Sequence, residues 1–220
     1  MYTSFHGTGS KTYPDKVIRE RYFKDYNFKG VYLDVGSAGP IEMSNSCHFR
    51  HNGWRILSVE ANPYFCKQHR DLGYEIVECA VGSTSAQNVD FSILKSEFPM
   101  ESASSLGGAE KNWAKDWADY GAVNIIVQAQ KQIIKVNVMT LNEIMEKFNI
   151  TRIDILDLDI ERSELDALKG FDLNKYRPTL CIIEDHNSAA SGIEQYMKSN
   201  QYFLDYRIEY DNYYLRESEV

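Results

Sequence analysis

The sequence predicts an α/β fold: a mostly parallel sheet with helices on both faces and a C-terminal antiparallel hairpin at one edge. Three features point there. Short apolar runs of strand length alternate with helical stretches of about ten residues, the pattern of βαβ units. Glycines and capping residues stand at the boundaries between them. The chain then ends in two aromatic strand-like segments close together, which suits a hairpin.

Residues 1–29 form an N-terminal helical extension, polar and aromatic, in which Val17, Ile18, Arg21 and Tyr22 give one short helix an apolar edge. Residues 30–35 (GVYLDV) read as a buried strand ending in glycines. A helix over 41–52 follows, with Pro40 suited to its first turn and Gly53 beyond its end. Residues 55–60 (RILSVE) are a second strand, 63–72 a helix stopped by Gly73, and 75–81 (EIVECAV) a third strand.

The alternation resumes at 133–138 (IIKVNV). A helix over 140–148 opens on a capping box of Thr140 and Glu143. Strand 153–158 leads to a helix over 164–169 capped by Ser163 and closed by Gly170. Strand 179–184 (TLCIIE) precedes a helix over 192–199, and segments 203–208 and 213–215 pair around Asp211-Asn212. Residues 30–220 thus make one domain. Its stretch 96–132 fits no regular element and reads as an insert or substrate lid. There Trp113, Trp117 and Tyr120 recur at helical spacing, as a packed face or as a wall for a sugar or flat ring.

Composition narrows the function. With 43% hydrophobic residues among 220, the chain can bury a core without staples. A net charge of −8 repels phosphate, so neither nucleic acid nor an anionic membrane is an expected partner. No apolar run approaches the roughly 20 residues of a membrane span. The first residues have no signal-peptide pattern, and Cys47, Cys66, Cys79 and Cys181 have no CxxC spacing. Reduced thiols and a cytoplasmic setting are the expectation. The oligomeric state has no signature in the sequence.

In open parallel sheets, ligands sit outside the carboxyl ends of the strands. Those ends read Asp34-Val35-Gly36-Ser37-Ala38-Gly39, Glu60-Ala61-Asn62-Pro63, Cys79-Ala80-Val81-Gly82, Asp157-Leu158-Asp159-Ile160-Glu161 and Glu184-Asp185-His186-Asn187. Four of the five carry carboxylates. Neither GxGxxG nor GxxxxGK[ST] occurs, and crowded acids repel phosphates. S-adenosylmethionine has no phosphate and is a net cation, so an acidic rim suits it. Glycines at the first strand end let the backbone approach a cofactor, and Glu60 at the second can accept ribose hydroxyls.

These segments, with LDLDIERSEL at 156–165 and Leu168-Lys169-Gly170, resemble the FkbM-type S-adenosylmethionine-dependent methyltransferases. The likeness runs over residues 13–190 and implies a class I methyltransferase-like (Rossmann-like) fold. It implies that Asp34, Gly36 and Ser37 line the methionine end of the cofactor, that Glu60 holds the ribose with Asn62 close by, and that Cys79 and Ala80 border the adenine. Asp159 would face the transferable methyl. It also implies O-methylation of a sugar or glycan-type hydroxyl, on a small-molecule or glycan acceptor. The chain departs from the family pattern at Ser37-Ala38-Gly39-Pro40, at Ala61 in place of proline, and at Arg162 in place of glycine, where an arginine could recognise an anionic substrate group.

Transfer from an activated methyl needs an aligned nucleophile and, for a hydroxyl, a general base. The candidates are Asp159, Glu161, Glu184 and His186. His186 equally suits an exposed loop, and Glu161 suits a first helical turn, where the dipole favours an acid. A divalent metal on Asp159, Glu184 and Asp185 is chemically allowed, although no spacing demands it. Two other functions fit the same sheet: a nicotinamide-dependent oxidoreductase, and a degenerate nucleoside- or sugar-binding module without turnover.

Overall fold

The computed structural model describes residues 1–7, 13–95, 104–106, 130–188 and 190–217. Helix α1 (Pro14–Val17) runs into one π-helical turn (Ile18–Tyr22), and then β1 (Val31–Val35), α2 (Cys47–His51), β2 (Arg55–Glu60) and α3 (Pro63–Asp71) follow. Next come β3 (Ile76–Glu78), β4 (Ala80–Val81), β5 (Ala86–Lys95), β6 (Ser104–Leu106) and β7 (Gln130–Met139). The second half carries α4 (Leu141–Lys147), β8 (Ile155–Leu158), α5 (Glu164–Lys169), α6 (Leu173–Tyr176), β9 (Leu180–Glu184), α7 (Ile193–Ser199), β10 (Tyr202–Ile208) and β11 (Asp211–Arg216).

Seven strands form the main sheet in the order β10-β11-β9-β8-β1-β2-β3. The pairs from β9 to β3 are parallel, and β11 joins antiparallel, with β10 as its hairpin partner. This is the expected fold. Strands buried on both faces need apolar side chains on alternate sides. Leu33 and Val35 of β1 therefore join Leu57, Val59, Leu156 and Leu158 against α4, α5, α6 and α7. Tyr32 joins Ile56, Ile155 and Ile182 on the other face, under Ile18, Phe23, Phe49 and Trp54. The N-terminal helix and α2 thus cover this layer of the core together.

The chain turns one way from β1 to β2 and β3, and the other way to β8 and β9. The topological switch lies between β1 and β8, where Asp34 stands in register with Asp157. Among the described residues no helix is long and apolar enough to cross a membrane.

Several elements differ from expectation. The helix over 41–52 is only α2, because Met43 takes φ +62° and bridges to Gly7. The strand over 75–81 divides at Cys79: β3 stays in the main sheet, and β4 crosses into a second sheet of order β4-β7-β5-β6. Strand β5 and helix α6 were not foreseen. Ser163 makes no side-chain cap on α5. The capping box on α4 is present, Thr140 Oγ1 accepting from the Glu143 N–H at 3.1 Å. The C-terminal hairpin turns at Glu209 and Tyr210, which places Asp211 and Asn212 inside β11. Most of the insert at 96–132, including Trp113, Trp117 and Tyr120, lies outside the described residues.

Candidate active site

At the end of β1 the chain must pass β8 without a side chain between them. Gly36 takes φ +81°, and a Cβ there would lie 1.7 Å from the Asp159 carbonyl oxygen. Only glycine fits such a position. The Gly36 N–H donates to Val59 O at 2.9 Å, and the Asp159 N–H to Val35 O at 3.0 Å, which ties the ends of β1, β2 and β8 together.

Above that knot lies a cavity of about 280 Å³. Asp34, Gly36, Ser37, Asp157 and Asp159 line it, with Glu60 and Ala61. Cys79, Ala80, Phe65 and Phe91 add an apolar side, while Met43 and Asn45 come from the irregular segment before α2. Ile160, Glu161 and Ser163 close the side nearest α5. Among the described residues no lysine or arginine lines it.

Such a concentration of acids has a clear electrostatic signature. Burial raises the Asp34 carboxyl to about 6, although Ser46 Oγ donates to it at 2.6 Å. Burial also raises Glu60 to about 7 against three stabilising hydrogen bonds, from the Asn62 N–H at 2.7 Å, the Ala38 N–H at 3.0 Å and the Ala61 N–H. Asp157, buried beside Asp34, is pushed well up even though Tyr32 Oη (2.6 Å) and Asn45 Nδ2 (3.1 Å) donate to it. Burial raises Asp159 as well. In each case burial is the dominant cause, offset only in part by the Arg50 guanidinium near Asp34 and by His186 near Asp159.

Next to Asp159, Glu184 Oε1 and His186 Nε2 lie 2.9 Å apart. Burial and then the neighbouring Asp159 raise the Glu184 carboxyl well above its usual range. One ligating atom each from Glu161, Glu184 and His186 lies within 4.8 Å of the others. Asp185 is not part of that group. Its carboxylate accepts from the Asn187 N–H and from Ser191 Oγ, and so shapes the loop instead.

Of the predicted residues, Asp34, Gly36, Ser37, Glu60, Cys79, Ala80, Asp159 and Glu161 share this one cavity wall. Asn62 stands behind it: its N–H holds Glu60, and its side chain caps α3 by accepting from the Tyr64 N–H at 3.0 Å. Glu184 and His186 lie beside Asp159 rather than in the wall. Asp157, Asn45, Met43, Phe65 and Phe91 were missed. Asp157 had a signal, because it alternates with Asp159 in LDLD and so shares its side of the strand. Phe91 had one too, in the alternating Val89, Phe91 and Ile93.

The family profile of the methyltransferase FkbM domain matches residues 34–204. The chain belongs to the FkbM methyltransferase family. Among solved structures it is similar to a methyltransferase FkbM from Methylobacillus flagellatus KT, with a TM-score of 0.53 and 14% identity. That similarity covers 88% of this chain and 46% of the other, so the chain spans about half the length of that protein. At such identity the likeness is one of fold. A comparison with curated proteins gives no match. Membership in the FkbM family supports methyl transfer as the coarse function and leaves the nicotinamide reading without support.

Proposed function

We propose that this FkbM-family domain transfers a methyl group from S-adenosylmethionine to a hydroxyl oxygen of a sugar or glycan-type acceptor. The observation that carries the donor assignment is the cavity at the β1–β8 switch, walled by buried acids and by no cationic side chain among the described residues. A net cation is the ligand that relieves such a site.

The residues present fit that donor. Gly36 leaves room where any side chain would collide, and Asp34 and Ser37 offer polar atoms beside it. Glu60 lines the cavity and is assigned to the ribose hydroxyls, and Phe65, Cys79, Ala80 and Phe91 are assigned to a flat base. When bound, the donor supplies a methyl already activated on a sulfonium. The protein then has three tasks: to orient, to exclude water and to take a proton. Asp159 and Glu161 border the acceptor side, and the Glu184–His186 pair stands next to them as a place for the hydroxyl proton. Oxygen as the acceptor atom, and its sugar character, follow from the family resemblance.

Incubation with radiolabelled S-adenosylmethionine on a glycan array tests the acceptor. Label retained on sugars as base-stable methyl ethers is the expected result. Label confined to nitrogen-containing acceptors would overturn the oxygen assignment.

A further inference from the structure

The turn between β8 and α5 holds two consecutive residues in the left-handed region, Glu161 at φ +57° and Arg162 at φ +77°. Neither is glycine. Long L side chains adopt that backbone only where neighbouring groups enforce it. Glu164 reaches back into this turn. Its side chain is buried, and a single oxygen, Oε1, accepts from the Ile160 N–H at 3.0 Å and from the Arg162 N–H at 2.9 Å. Those two amides lie on either side of Glu161. Glu161 in turn lines the cavity and brings its carboxylate to Glu184 and His186.

We propose that Glu164 is a positioning residue, whose buried carboxylate clamps the backbone on both sides of Glu161 and thereby holds the Glu161 carboxylate beside the Glu184–His186 pair. Burial raises the Glu164 carboxyl to about 7. An accepting oxygen suffices for the clamp whether or not the group is ionised, so an amide can replace it. A base or a charged ligand at this position could not be replaced in that way. The geometric claim stands on the protein alone; only its catalytic consequence rests on the methyl-transfer reading.

The test follows the His186 ring signal by NMR in the full chain without ligand. Glu161→Ala displaces that signal, and Glu164→Ala displaces it by a similar amount. The double variant shows no more than either single change, and Glu164→Gln keeps the wild-type signal. Additive displacements, or a Glu164→Gln signal that matches Glu164→Ala, overturn the proposal. If Glu164→Ala does not fold, Arg162→Gly is added, because glycine accepts this backbone without a clamp. A refolded chain with the signal restored supports the clamp; an unfolded or still displaced one overturns it. In methyl transfer, Glu164→Ala lowers kcat by about a hundredfold through misplacement, with the KM for donor within about twofold, and Glu164→Gln restores it. Wild-type protein that binds no S-adenosylhomocysteine sinks the donor assignment, while the ring signals still decide this proposal.

Discussion

Two residues show how the site is made at the scale of single side chains. Gly36 is fixed by contact, since Gly36→Ala drives a Cβ into the Asp159 carbonyl and forces an L-residue to φ +81°. The expected loss is about 3 kcal/mol in urea unfolding, from overpacking and left-handed strain together. An unchanged midpoint would show that the ends of β1 and β8 part easily. Glu60 is fixed by charge. Its folded carboxyl is near 7 against an ordinary 4.5, so the folded state holds the proton more tightly. The stability this contributes is fully present below about 4.5 and is lost as pH rises through about 7. Asp34 and Glu164 act in the same direction. Between about pH 4 and 7 these three carboxyls therefore withdraw stability from the ligand-free protein, against the opposite contribution of the buried His69, and Glu60→Gln removes up to about 3 kcal/mol of that loss. Equal slopes in thermal unfolding of variant and wild type would contradict this.

At the scale of elements, the N-terminal strap helps to build the cavity wall. Asn52 Oδ1 accepts from the Tyr2 N–H and its Nδ2 donates to Tyr2 O, His48 Nδ1 bonds Ser4 O, and the His6 N–H donates to the buried Asp15. Gly7 then bridges to Met43, which lines the cavity two residues before Asn45, itself a donor to Asp157. Removing residues 1–7 strips Asp15 of two donors, the His6 and Gly7 N–H groups, and releases the 41–46 segment. The expected result is faster amide exchange at 43–46 and about tenfold weaker S-adenosylhomocysteine binding, in line with losing a buried hydrogen bond. Unchanged exchange and affinity would separate the strap from the site.

The same elements show what the sequence made legible. Strands β1, β2, β8 and β9 could be read because burial on both faces leaves short, predominantly apolar runs, and their acidic ends followed from that placement. The 41–52 segment misled because its helix-like pattern is overridden at Met43 by pairing with the distant Gly7, a contact no local period encodes. The 75–81 segment looked like one strand, since nothing local marks Cys79 as the point where the chain leaves one sheet for another. The Glu164 clamp was hidden for a related reason. An acid in the first turn of a helix looks like a dipole effect, and only the fold reveals that it binds two amides of the preceding turn.

At the scale of the whole molecule, the sheet order gathers acids from distant stretches of chain at one switch point. Asp34 and Glu60, from β1 and β2, and Asp159, just past β8, meet around a single cavity. A net charge of −8 adds a field that favours cationic ligands over phosphates. The most direct measurement is calorimetric titration of S-adenosylhomocysteine into wild-type protein and into Glu60→Ala at pH 8, where Glu60 is ionised. One-to-one binding by the wild type, weakened about ten- to a hundredfold by loss of a charged acceptor, is the expected result. No heat with wild-type protein, or equal affinity in the variant, would contradict it.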